Sequence, residues 1–113
     1  MKRIDLDIHV KGENGNPAVR TVAAFTDKRC PGLAIHAAWE SNVHEWRVSH
    51  VASGLVVASV LTKTDAQAAM LEIGAIQDWT RPLAEVAAHG EPGQMRWLKA
   101  TIAAIVKRYR GEA

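Results

Sequence analysis

The sequence predicts an α+β fold: an antiparallel meander of about five strands followed by three helices packed on one face of the sheet. Apolar and polar residues alternate through most of residues 1–61, and a period of two is typical of half-buried strands. Over residues 64–110 apolar residues recur every three or four positions, which indicates amphipathic helices. Because the strands precede the helices, α+β is favoured over a parallel sheet. We expect a single domain, 1–113.

The first two strands are predicted to form a hairpin. Apolar and polar side chains alternate from Ile4 to Val10, and segment 12–17 is rich in the residues that favour turns. Residues 18–26 then return as a second strand. Short connections favour sequential neighbours throughout the sheet.

Three further strands are predicted between residues 33 and 61. The third places Leu33 and Trp39 on one side and His36 on the other, and the fourth begins at Trp46. The two tryptophans flank one turn and are expected to pair across strands. After a tight turn at 53–54, residues 55–61 are nearly all apolar, as in a central strand covered on at least part of both faces.

The helical part begins at a capping box, in which Thr64 accepts from the third-residue amide and Gln67 reaches back. A short second helix is predicted over 80–90, and the last helix starts at 91–92. Gly111 closes the last helix, where a left-handed residue costs least.

The last helix combines an apolar stripe with most of the net charge. The stripe consists of Leu98, Ile102, Ile105 and Tyr109. A second sector holds the cations Arg96, Lys99, Lys107 and Arg110, with Trp97 and Arg108 beside it. The chain from residue 96 onward carries a net charge of +4, whereas residues 1–95 carry −2.

The basic sector has three interpretations. In the first it is a solvated helix face, whose cations in the last turn interact favourably with the helix dipole. In the second it is a nucleic-acid footprint, and in the third it is a surface that docks on an acidic or nucleoprotein partner. Trp97 either extends a wide helix interface or is an exposed anchor, since tryptophan and arginine are frequent in interface hot spots.

Composition limits the other classes of function. Cys30 is the only cysteine, so an internal disulfide or a cysteine-rich zinc site is excluded, and a buried apolar role is expected for it. No apolar segment approaches the length of a membrane span, and residues 4–7 interrupt any signal-peptide pattern. We expect a cytoplasmic protein that does not enter a membrane.

Catalytic signatures are weak. A metal site could form from Asp5, Asp7, His9 and His36 if strands one and three were neighbours, and this gives a small metal-dependent enzyme as one alternative. Ser49, His50 and Ser53 lie close in sequence, but successive strand residues point to opposite faces. Segment 12–15 lacks the following helix that a phosphate loop needs. No catalytic residue, metal or cofactor is therefore assigned.

Residues 46–50, 53–55 and 64–66 resemble a hairpin-then-helix pattern, spanning 46–80, found in small uncharacterised accessory proteins of phages, plasmids and related mobile elements. The resemblance implies a factor that binds host components, and inhibitors of CRISPR systems are one such class. It carries over no functional residue.

These observations predict a small non-enzymatic protein that modulates a host protein or nucleoprotein complex. The expected contact surface consists of Arg96, Trp97, Lys99, Lys107, Arg108 and Arg110. The first alternative is direct nucleic-acid binding through the same helix, and a homo-oligomer joined through a sheet edge or through Trp97 also stays open.

Overall fold

A computed structural model describes residues 1–40, 43–80 and 94–111 of the chain. Five antiparallel strands lie side by side in sequence order, which confirms the meander. The strands are β1 (Lys2–Lys11), β2 (Pro17–Thr26), β3 (Leu33–Ala37), β4 (Trp46–His50) and β5 (Leu55–Val60). The described helices are α1 (Lys63–Gly74) and α2 (Gln94–Arg110). Two helices are thus found in this part of the chain instead of three, because the one predicted over 80–90 lies outside the described residues.

The N-terminal hairpin is much longer than its junction with the rest of the sheet. Strands β1 and β2 pair over their full ten residues each. Only Phe25 and Thr26 of β2 pair with β3, opposite Ile35 and Ala34. Most of the hairpin is therefore free to bend away from the plane of the central strands.

The sheet has a core on each face. On one face the buried side chains of β3, β4 and β5 pack against both described helices, as predicted. On the other face Leu6, Ile8 and Ala24 of the hairpin form a second core with Ala34 of β3. The hairpin curls over this face until the His9 amide donates to the Gly54 carbonyl oxygen, 3.1 Å away. Both faces of β3 are consequently buried.

The N-cap of helix α1 lies two residues before the predicted one. The Thr62 hydroxyl, not that of Thr64, accepts from the Asp65 amide at 3.1 Å. Thr62 is extended while residues from Lys63 onward are helical, so Thr62 is the residue that can cap the free amides. The amphipathic spacing predicted for this segment is confirmed, since Ala66, Ala69, Met70 and Ile73 are buried.

Strand β5 lies at the edge of the sheet, and its prediction as a central strand was wrong. It pairs with β4 only, and Leu55 and Val56 are each 44% exposed. The register of the β4–β5 pair skips Val57, which forms a bulge opposite the Val48/Ser49 step. The continuous apolar run therefore does not reflect burial on both faces.

The tryptophans flanking residues 40–45 do not pair. Trp46 packs against Phe25 on the helix side, with ring centroids 6.5 Å apart. Trp39 lies just beyond β3, packs against the second core and has the Arg20 guanidinium 4.6 Å above its ring. The expected pair was wrong because β3 ends at Ala37, and the alternation of faces ends with it.

Candidate functional site

Helix α2 turns its apolar stripe inward, as predicted. Leu98 and Ile105 are buried, and Ile102 and Tyr109 pack against the same core. This stripe joins α2 to β5 and α1 and fixes which sectors of the helix face outward.

Arg108 and Arg110 do not stand free in water as the other cations of α2 do. The Arg110 guanidinium donates to the Ser59 carbonyl oxygen at 3.0 Å and lies 3.8 Å from the Glu45 carboxylate. Arg108 donates to Glu72 of α1 but is 62% exposed. The interpretation of the basic sector as a solvated helix face therefore does not hold for Arg110, which is 29% exposed. A helical wheel of α2 could not show these contacts, because Ser59, Glu45 and Glu72 all lie outside α2.

Arg110 joins an ion-pair network that already contains a second guanidinium. Arg47 contacts Glu40 at 2.6 Å and Glu45 at 2.9 Å. The Arg47 hydrogen bond lowers the pKa of the Glu40 carboxyl, and Glu40 in turn raises the pKa of Arg47. The two carboxylates balance the two guanidinium groups, so this corner has little net charge to offer a partner.

The remaining cations of α2 are exposed. Arg96, Lys99 and Lys107 take part in no salt bridge within the described ranges. Since the helix carries five basic side chains and no acidic one, these three concentrate positive potential on its outer surface.

Trp97 is an exposed aromatic side chain on the outer part of α2. Its side chain is 57% exposed, and its carbonyl oxygen accepts from the Thr101 hydroxyl at 2.8 Å. Of the two interpretations of this tryptophan, a wide helix interface does not match such exposure. An indole in this position is instead suited to cover a partner's apolar surface.

A groove of about 590 Å³ runs between β5 and α2. Its apolar lining includes Val57 and Ala58 of the strand and Ile102 and Val106 of the helix. Lys99, Lys107 and Arg110 also line it, so cations border an apolar floor. No sequence pattern predicted this groove, because it depends on how α2 lies against the edge strand.

The predicted metal site does not form. Strand β2 separates β1 from β3, and the pairing places Asp5, Asp7 and His9 on the face that Ile35 shares. His36 points to the opposite face and is fully buried. The described residues contain no group of three His, Cys, Asp or Glu side chains that could hold a metal ion.

A buried serine–histidine contact exists that the sequence did not predict. The Ser49 hydroxyl and His36 Nε2 are 2.8 Å apart, and His36 Nδ1 lies 2.9 Å from the Ala37 carbonyl oxygen. That carbonyl can only accept, so Nδ1 carries the proton and Nε2 accepts from serine. Both side chains are fully buried, which leaves no access for a substrate. The pair is structural.

His50 is also a structural residue. Its Nδ1 lies 2.7 Å from the Ser53 hydroxyl, so the side chain hydrogen-bonds the 53–54 turn. Its Nε2 lies 2.8 Å from the Trp79 carbonyl oxygen. Ser49 and His50 point to opposite faces, as predicted.

Cys30 has the buried apolar role that its isolation predicted. It packs in the helix-side core, and burial raises the pKa of its thiol. A raised pKa lowers the thiolate fraction at neutral pH, so this cysteine is not an activated nucleophile.

Comparison with protein-family models, curated proteins and solved structures found no match for this chain. No helix in the described parts of the chain is both long enough and apolar enough to span a bilayer.

Proposed function

We propose that this protein is a non-enzymatic binding protein that docks on an acidic protein or nucleoprotein surface through α2. The observation that carries the proposal is the exposure of Trp97 on a helix whose neighbouring cations the fold does not use. Arg96, Lys99 and Lys107 would attract an acidic partner, and the indole would anchor it. An accessory factor that modulates a host complex, as the hairpin-then-helix resemblance implies, would act in this way.

The test uses poly-L-glutamate as a defined acidic probe, titrated against the intact protein by calorimetry. We expect the triple variant Arg96→Gln, Lys99→Gln, Lys107→Gln to bind the probe at least about tenfold more weakly, a loss of about 1.4 kcal/mol. The matched control, Lys2→Gln, Lys11→Gln, Lys28→Gln, removes the same charge from exposed positions outside α2. Equal weakening in both variants would show attraction by net charge alone and would reject the proposal.

Direct nucleic-acid binding through the same cations is the alternative. A random-sequence DNA duplex, titrated at low and high salt, separates the two. Tighter binding of the duplex than of poly-L-glutamate at both salt concentrations would favour the nucleic-acid function.

A further inference from the structure

Strand β5 is an apolar sheet edge. It is one of the two outer strands of the sheet, and Leu55 and Val56 are each 44% exposed. Natural proteins commonly protect such edges with charged side chains, prolines or short strands, because an open edge pairs with other chains. Here one protecting contact is present, from Arg110 to the Ser59 carbonyl oxygen. The stretch Leu55–Val57 has no such charged contact among the described residues.

The groove beside this edge has room for an extended chain. Helix α2 forms its second wall, and Val57, Ile102 and Val106 supply an apolar lining. The bulge at Val57 turns this side chain toward the helix-side core, where it packs beside the groove. With a rise of about 3.3 Å per residue, an added strand along Leu55–Ser59 would contribute about five residues.

The charge of the groove selects the occupant. Lys99 and Lys107 on the helix wall line the space that an added strand would fill, whereas the charge of Arg110 at the Ser59 end is already balanced by Glu45. In a strand, alternate side chains point to opposite sides, so acidic residues could meet the lysines while apolar ones cover the floor.

We propose that β5 accepts an extended acidic peptide of the partner protein as a sixth strand, lying in the groove between β5 and α2. Main-chain hydrogen bonds to Val56 and Val57 supply affinity, and Lys99 and Lys107 supply the preference for acidic sequences. This proposal rests on the proposed function and specifies its mode of contact.

A second copy of this chain fits the groove less well. Antiparallel pairing of two β5 edges would bring the Lys99 and Lys107 side chains of both copies toward one interface, where like charges repel. A nucleic-acid backbone would match the lysines but not the apolar lining. Acidic peptide is therefore the occupant that matches both features.

The probe is a short acetylated peptide of alternating glutamate and valine, titrated against the intact protein by calorimetry. A second peptide with the same side chains carries methyl groups on alternate backbone amides, which removes their hydrogen-bond donors. We expect methylation to weaken binding at least about tenfold. Equal binding of both peptides would overturn strand addition.

Matched variants test the location. Val56→Asp places a negative charge beside the groove, whereas Val19→Asp makes the same change on an exposed residue of β2. We expect Val56→Asp to abolish peptide binding and Val19→Asp to leave it unchanged. Equal effects of the two variants would overturn the location.

The proposal and the function on which it rests fail in different ways. Suppose that poly-L-glutamate binds through the α2 cations, but that neither backbone methylation nor Val56→Asp weakens peptide binding. Strand addition is then wrong and the proposed function stands. If neither probe binds, both are wrong. A dimer in light scattering that Val56→Asp dissociates would assign the edge to a second copy and overturn the acidic peptide.

Discussion

His36 is a fully buried imidazole, and its hydrogen bonds to the Ala37 carbonyl and to Ser49 fix its tautomer, with the proton on Nδ1. Burial lowers its pKa, an effect larger than the opposing hydrogen bond to the Ala37 carbonyl. Arg47 also lowers the pKa, and Glu40 raises it. Protonation would require Nε2 to give up the hydrogen bond from Ser49.

We predict that His36 makes the protein less stable in mild acid. Because its folded pKa lies below the ordinary 6.5, its contribution is complete above that value and is lost as the pH falls toward the folded pKa. One proton limits the slope to about 1.4 kcal/mol per pH unit. Urea unfolding at several pH values between neutrality and mild acid measures it.

His36→Gln should flatten this dependence, since glutamine does not titrate. His44→Gln, at an exposed histidine, should leave it unchanged and is the control. The assignment fails if wild type and His36→Gln lose stability equally over this range.

The sequence predicts the alternation of faces around His36, but it does not show whether the face on which His36 lies is exposed or buried. Leu33 and Ile35 lie on the face opposite His36, as predicted, and in the structure that face meets the helices. Whether that other face meets water or a second core depends on the pairing of Phe25 with Ile35. No local pattern encodes that long-range register.

At the scale of elements, Glu72 links the two described helices. Its carboxylate accepts hydrogen bonds from the Tyr109 hydroxyl and from Arg108. The tyrosine contact is the leading cause of its lowered pKa, and Arg108 is the second. The pKa of Tyr109 is raised by the same contact.

We predict that Tyr109→Phe destabilises the protein by about 1 kcal/mol. This is less than the roughly 1.5–3 kcal/mol typical of a hydrogen bond to a charged acceptor, because solvent partly reaches Glu72. Arg108→Gln should shift the unfolding midpoint less, because its guanidinium is mostly exposed. Chemical unfolding of both variants at neutral pH checks the order. A larger loss for Arg108→Gln would contradict it.

The elements themselves were largely predictable. Alternation located the strands, the short connections predicted their order, and helical spacing located α1 and α2. The start of α1 was misplaced because Thr62 and Thr64 both satisfy the composition of a cap, and only backbone geometry distinguishes them. Strand β5 was wrongly predicted to be central, because a continuous apolar run is taken to indicate burial. The same run also occurs in this edge strand, which borders a groove.

For the candidate site, the sequence predicted which side chains of α2 are exposed, but not the contacts between α2 and β5. The wheel of α2 correctly separated the buried stripe from exposed Lys99 and Lys107. It could not show that Arg110 reaches the Ser59 carbonyl on β5, or that a groove opens there. Contacts between elements distant in sequence carry that information.

At the scale of the molecule, the two cores share β3. Leu33 and Ile35 belong to one core, and Ala34 belongs to the other. Loss of β3 from the sheet would open both cores together, so their stabilities are linked.

We predict that the two cores unfold in one transition. In a variant that keeps Trp39 as its sole tryptophan, fluorescence reports on the second core, whereas far-ultraviolet circular dichroism reports mainly on α1 and α2. The two midpoints in urea should coincide. Adding Met70→Ala, a substitution in the helix-side core, should lower both by the same amount, corresponding to about 2–5 kcal/mol. A fluorescence midpoint that stays in place would show independent units.

The close approach of β1 to the β4–β5 turn requires glycine at position 54. Gly54 has a φ of +70°, and a Cβ built there would lie 2.5 Å from the Asp7 carbonyl oxygen. Any larger residue at this position would act as a wedge between β1 and the β4–β5 turn. The hairpin would then move away from the sheet and expose Leu6 and Ile8 to water. The absence of a side chain at residue 54, far from α2, therefore keeps the second core closed.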